Sequence, residues 1–181
     1  MLNIAIAGST GRMGRTLLET IAESPYIRLS AALVQENSPL LGKDAGELIG
    51  TPCGVSISAD TATALPGSDV LIDFTRPAGT LAHLAICRMQ GIKMVIGTTG
   101  FTVDEKDILK SAANEIAMVF APNMSVGVNI LFKLLEVAAH ALRDGYDIEI
   151  VEAHHRHKVD SPSGTALRMG EVIAQALDRN L

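Results

Sequence analysis

The 181-residue chain has no tryptophan, only two tyrosines and four phenylalanines, and fewer Lys and Arg (15) than Asp and Glu (20). A protein that grips nucleic acid needs a basic face and usually aromatic platforms for the bases, so these shortages exclude that class and favour a small-molecule partner. Cysteine is almost missing as well. Cys53 and Cys87 lie far apart and form no CxxC pair. With no signal-peptide pattern alongside them, they read as reduced thiols of a cytoplasmic protein. No apolar run reaches the ~18 residues needed to cross a bilayer. The longest, Val126 to Leu142, is broken by Asn129, Lys133 and Glu136, and no membrane segment is expected. What is left is 48% hydrophobic and 19% charged residues, which is ample for a packed core. The length suits one full domain but is short for two.

The first two thirds of the chain alternates apolar runs with helical patterns, the way a parallel sheet covered by helices is written. Strands are predicted at Leu2–Ala7, Leu29–Val34, Asp69–Phe74, Lys93–Ile96 and Ala117–Phe120. Helices are predicted at Met13–Ala22, from Pro77 onward, and at Val103–Ala113, with Gln35 to Gly54 as a Gly- and Pro-rich loop region. This makes residues 1–125 a doubly wound α/β domain of the Rossmann type. Residues 126–181 then read as part of a second, α+β domain: a long helix Val126–Arg143, an alternating strand over Tyr146–Ala153, and a helix Gly164–Leu177.

Gly8-Ser9-Thr10-Gly11-Arg12-Met13-Gly14 follows the first strand and opens a helix, the setting in which a dinucleotide fingerprint is meaningful. Gly8 permits the tight turn, Gly11 lets the backbone approach a pyrophosphate, and Gly14 allows close packing of helix on strand. Arg12 adds a cation where a phosphate would lie. The competing reading is a tight βα turn that binds nothing. About 20 residues on, where a Rossmann domain holds the adenosine ribose, stand Val34-Gln35-Glu36, a trio that does not choose between NADH and NADPH. Three further segments leave strands on the same edge: Phe74-Thr75-Arg76-Pro77, Gly97-Thr98-Thr99-Gly100 and Ala121-Pro122-Asn123-Met124-Ser125. Singly each is an ordinary turn. Jointly they suit a nicotinamide and its ribose.

Glu152-Ala153-His154-His155-Arg156-His157-Lys158 concentrates three His, an Arg and a Lys at the end of the alternating segment. Clustered cations repel and lose hydration, so the run calls for a bound anion. Three uses compete: proton transfer with carboxylate binding, a metal site built from the histidines and Glu152, and a solvated basic face. Ser163 is a natural N-cap of the last helix, so the N–H groups of Gly164 and Thr165 would face an anion. A cation cluster facing a helix N-terminus suits a carboxylate.

These segments, GSTGRMGR, DFTRP, GTTGF, APNMSVGVN and EAHHRHKVDSPSGTA, resemble in order and spacing those of the 4-hydroxy-tetrahydrodipicolinate reductase family. The resemblance implies an NADH- or NADPH-dependent oxidoreductase of lysine and diaminopimelate biosynthesis. It would move hydride to carbon 4 of the cyclic dicarboxylate with loss of water, giving tetrahydrodipicolinate. It implies His154 and Lys158 as the proton-transferring residues and His155, Gly164 and Thr165 as substrate contacts. Gly8, Ser9, Thr10, Gly11, Arg12, Met13, Gly97, Thr98, Thr99, Ala121, Pro122, Asn123 and Met124 would line the coenzyme, with no metal required. The chain departs from the family where Val34 and Gln35 replace an acid followed by a base, and where Ser161 replaces Ala.

Family members continue beyond the last helix with further strands of the second domain, so the 181 residues are expected to be a partial form of a homotetrameric protein. Two other readings stand beside this one: a Rossmann regulator that holds NAD(P) and catalyses nothing, and another NAD(P)-dependent imino or amino acid dehydrogenase. The first leaves HHRHK without a purpose, and the second would not require the PSGT turn.

Overall fold

A computed structural model describes residues 1–156 and 161–181. The chain divides into two compact units, Met1–Phe120 and Ala121–Leu181. The first is a six-stranded, wholly parallel sheet in the order β3-β2-β1-β4-β5-β6. Its strands are β1 (Leu2–Ala7), β2 (Ile27–Leu33), β3 (Ile57–Ser58), β4 (Val70–Asp73), β5 (Lys93–Ile96) and β6 (Met118–Phe120). Helices α1 (Arg12–Glu23), α2 (Thr61–Ala64), α3 (Pro77–Gln90) and α4 (Val103–Ala112) connect them. From β1 the chain steps outward through β2 and β3, then returns to the other side of β1 with β4. The order therefore reverses between β1 and β4, and in open α/β sheets ligands bind at that reversal, outside the carboxyl ends of the strands.

Alternation along β1 shows why the sheet is covered on both faces. Ile4 and Ile6 pack with Leu18 and Ile21 of α1, while Ala5 and Ala7 join Leu71, Leu84, Met94, Ile96 and Leu109 in the opposite core. A strand buried on both sides is apolar at each buried position, which is how Ile4 to Ala7 read. Local chemistry fixes the helix ends. Pro77 opens α3, Gly91 closes it in the left-handed region, and Thr102 with Glu105 forms a capping box on α4.

Two features of this unit were not foreseen. Residues 35–54, expected as loop, contain a 3-10 helix at Ala45–Ile49. The Asp44 carboxylate holds its start by accepting from the N–H groups of Gly46, Cys53 and Gly54. The sheet also gains the two-residue edge strand β3, paired to β2 through Ala32 and Leu33.

The second unit holds α5 (Val126–Ala141) and α6 (Gly164–Ala176), which meet through Ala139, Ile173, Ala176 and Leu177. Ser125 and Ser163 cap them, accepting from Val128 N and Ala166 N. The strand expected over Tyr146–Ala153 is not formed, and those residues are irregular. Alternation gives a segment two faces, but a strand exists only where a neighbour takes its backbone hydrogen bonds. Among the described residues, no helix is long and apolar enough to cross a membrane.

Candidate active site

The glycine loop forms a tight cradle. Gly8 takes φ +70°, a conformation that L side chains rarely adopt, and its carbonyl accepts from Gly11 N at 3.0 Å to close the turn. Gly14 is packed so closely that a Cβ there would lie 2.3 Å from the Gly8 oxygen and 2.6 Å from the Ser9 Cα. Helix α1 therefore starts directly against the turn. Gly11 is its N-cap with no side-chain acceptor, so the first-turn N–H groups of Arg12 and Met13 have no capping side chain before them. Ser9 is fully buried, with its N–H and hydroxyl both donating to the Leu33 carbonyl, so it ties the turn to the end of β2.

Beside this turn a cleft of about 1040 Å3 opens along the carboxyl ends of β1, β2 and β4. Gly8, Thr10 and Gly11 form one wall, Val34 to Pro39 a second, and Thr75, Arg76, Gly79 and His83 a third. A pyridine dinucleotide fits this arrangement: a helix N-terminus for its phosphates, a trough of ligand size, and polar groups at the strand ends. Another cleft, of about 710 Å3, sits around Arg28, Ser30 and Cys53 near the amino ends of β1 and β2. That is the edge opposite to where such sheets bind their ligands.

Beneath the third wall lies a polar centre that sequence reasoning missed. Asp73, the last residue of β4, has no exposed surface. Its Oδ1 accepts from Thr75 N at 2.8 Å, Thr75 Oγ1 at 2.7 Å and Thr98 Oγ1 at 3.4 Å, and its Oδ2 pairs with His83 Nδ1 at 2.8 Å. Thr80, also fully buried, donates to Thr98 Oγ1 at 2.9 Å. Burial pushes the Asp73 carboxyl upward, but the hydrogen bonds from His83 and Thr75 outweigh it and hold the group below its ordinary value. One buried carboxylate thus joins the exit of β4, helix α3 and the Gly97–Thr99 loop after β5. The available signal was an acid ending an apolar strand. Gly97 itself faces the Phe74 ring, which would occupy the position of any Cβ there, and Thr99 is exposed.

The remaining sequence candidates belong to the second unit. Ala121 and Asn123 are half-buried, while Pro122 and Met124 are exposed. Asn123 is held from both sides: Oδ1 accepts from Ser125 N at 2.9 Å, and Asn129 Nδ2 donates to its carbonyl at 3.1 Å. Its own Nδ2 donates to Thr165 Oγ1 at 3.4 Å, joining the APNMS segment to the turn before α6. Glu152 makes a second such link. Oε1 accepts from Ser163 N at 2.8 Å, and Oε2 lies 3.3 Å from His154 Nδ1. His154, Gly164, Thr165 and Asn123 are thereby brought to one place around the α6 N-terminus. His155 is exposed beside them in sequence. Lys158 and His157 lie outside the described residues.

A Rossmann sheet with a tight glycine turn before its first helix, followed by a unit that gathers a histidine and a capped helix start, defines a pyridine-nucleotide-dependent oxidoreductase. The model of the dihydrodipicolinate reductase N-terminus matches residues 2–124, and that of the C-terminus matches residues 127–180. The chain belongs to the dihydrodipicolinate reductase family. It is 73% identical over 181 residues to the 4-hydroxy-tetrahydrodipicolinate reductase of Nitrosomonas eutropha, covering all of this chain and 68% of that protein. It is 64% identical over 180 residues to that of Nitrosospira multiformis, covering 99% and 67%. Among solved structures, dipicolinate-bound dihydrodipicolinate reductase from Paenisporosarcina superposes with a TM-score of 0.75 at 30% identity, covering 97% of this chain and 66% of that one. A putative oxidoreductase from Bacillus subtilis, at 17% identity and TM-score 0.53, shares the fold.

Proposed function

We propose that the chain carries the coenzyme-binding and proton-transferring parts of a reductase that converts 4-hydroxy-tetrahydrodipicolinate to tetrahydrodipicolinate, with loss of water, in lysine and diaminopimelate biosynthesis. The observation that carries this reading is the Glu152 carboxylate, which meets both Ser163 N and His154 Nδ1. It orients a proton-carrying imidazole next to a helix start suited to a carboxylate. A regulator that only holds NAD(P) has no use for that pairing.

NADH or NADPH would lie along the first unit's cleft and, when bound, would supply the hydride for carbon 4. Gly8 to Met13 would receive the pyrophosphate, Gly97 to Thr99 would line the nicotinamide ribose, and Ala121 to Met124 are the second unit's candidates for the coenzyme. The N–H groups of Gly164 and Thr165, with His155, bind a substrate carboxylate. Glu152 fixes the ring of His154, which exchanges a proton with the substrate. Lys158 donates a proton where charge develops on the ring nitrogen as the conjugated system is reduced.

The test uses the protein extended to the length of its relatives. NADPH absorbance, followed with enzymatically generated substrate, should show turnover that falls by orders of magnitude in His154→Ala and in Lys158→Ala. Unchanged rates in both would remove the assignment.

A further inference from the structure

His83 reaches the cleft from the second turn of α3, and no motif in the sequence announces it. Its ring is partly exposed and its Nδ1 is engaged by Asp73 Oδ2 at 2.8 Å. A histidine with one nitrogen fixed on a fully buried carboxylate has its ring plane set, and what it can offer an occupant is Nε2. The side of the cleft that it serves follows from the wall opposite. Leu33 to Ser38, leaving β2, line the same cavity, and the end of the second strand is where a Rossmann sheet holds the adenosine ribose. The Gly97–Thr99 loop lies on the other side of β4, after β5.

We propose that His83 is a binding residue for the adenosine half of the coenzyme and that the buried Asp73 is the positioning residue that aims it. This rests on the cleft being the coenzyme site. Asp73 fixes more than the ring, because the same carboxylate seats Thr75, which lines the cleft too. One buried charge therefore sets two contacts on this wall. A carboxylate taken wholly out of water costs free energy unless it is fully hydrogen-bonded, and this one is satisfied largely by groups that line or border the cleft.

Substitutions at His83 separate a binding role from a structural one. In His83→Asn the amide takes the place of Nδ1 and still satisfies Asp73, but nothing stands at Nε2. In His83→Gln the amide reaches the Nε2 position. Calorimetry on this chain with NADH and with ADP reads both. The expected result is a Kd about tenfold weaker in His83→Asn, as for loss of one good hydrogen bond, with His83→Gln restoring part of it, since its amide reaches the Nε2 position without the Asp73 anchor. The same factors should appear for ADP, which carries the adenosine and both phosphates without the nicotinamide riboside. Asp73→Asn should weaken binding severalfold, and in the His83→Asn background it should add little, because its effect passes through the ring. Wild-type affinity in His83→Asn overturns the proposal. So does an effect seen with NADH but not with ADP, and full additivity of the two substitutions overturns the positioning role. If the unaltered chain bound neither ligand, the coenzyme cleft itself would be lost, and this inference with it.

Discussion

Replacing Gly14 by alanine tests whether the glycine turn before α1 is built by packing. In an exposed helix interior, Gly to Ala stabilises by about 1 kcal/mol, because alanine restricts the unfolded chain and is the better helix former. Gly14 sits in the first turn of α1, where a Cβ would meet the Gly8 oxygen at 2.3 Å, Ser9 Cα at 2.6 Å and Ser9 O at 2.6 Å. All three are backbone atoms of the turn, and Ser9 is also tied to Leu33 O, so none of them can swing aside as a side chain would. Relief requires α1 to lift off the turn. Overpacking of that kind costs roughly 3 kcal/mol, the upper part of its usual span. The helix-propensity gain offsets about 1 of this, leaving about 2 kcal/mol of net destabilisation. For a domain of this size that is a fall in Tm of about 8 °C. Gly50→Ala is the control. Gly50 has φ +77° with nothing within 4 Å of the added carbon, so only backbone strain of about 1–2 kcal/mol applies, and Gly50 does not line the cleft beside the glycine turn. Thermal melting by circular dichroism, with NADH titration on the same samples, should show Gly14→Ala losing both stability and coenzyme affinity and Gly50→Ala losing stability alone. A Gly14→Ala protein that melts as the wild type and binds NADH equally well would refute the packing argument.

Acid unfolding should report on Asp73. Its carboxyl is held below the ordinary 3.8, so its stabilisation is fully present above that value and is lost as pH falls through the folded-state value. Asp73→Asn has no proton to take up there, and its stability should decline less steeply below pH ~4, measured by urea unfolding across pH; equal slopes would count against a charged Asp73. The two thiols should differ sharply in reactivity. Cys87 is fully buried, and burial pushes its thiol up to about 12, whereas Cys53 is exposed. An Ellman titration should find one fast-reacting thiol in the native chain and two in denaturant, and two fast thiols in the native chain would contradict the packing around Cys87.

The elements legible in the sequence were those whose cause is local. The alternation of Ile and Ala in β1 and the proline that opens α3 each state their own structure within a few residues. Features with a remote partner were not legible. The strand Ile57–Ser58 exists because Ala32 and Leu33 receive it, and the 3-10 helix starts where Asp44 collects N–H groups from as far as Gly54. The alternating residues 147–153 show the same rule in reverse, since a two-faced pattern without a pairing neighbour stays irregular. The candidate site divides along the same line. Glycine spacing and the His-rich run pointed to the tight turn before α1 and to the α6 start, because each local structure is written in consecutive residues. The Asp73 network is written in positions 73, 75, 80, 83 and 98, spread over a strand end, a helix and the next strand's exit. Its members converge only because β4 and β5 are adjacent and α3 starts directly at the exit of β4. In a doubly wound sheet, consecutive crossovers return every strand exit to one edge. Short polar residues just past successive strand ends are therefore the place to seek partners for a buried acid, even when no motif joins them.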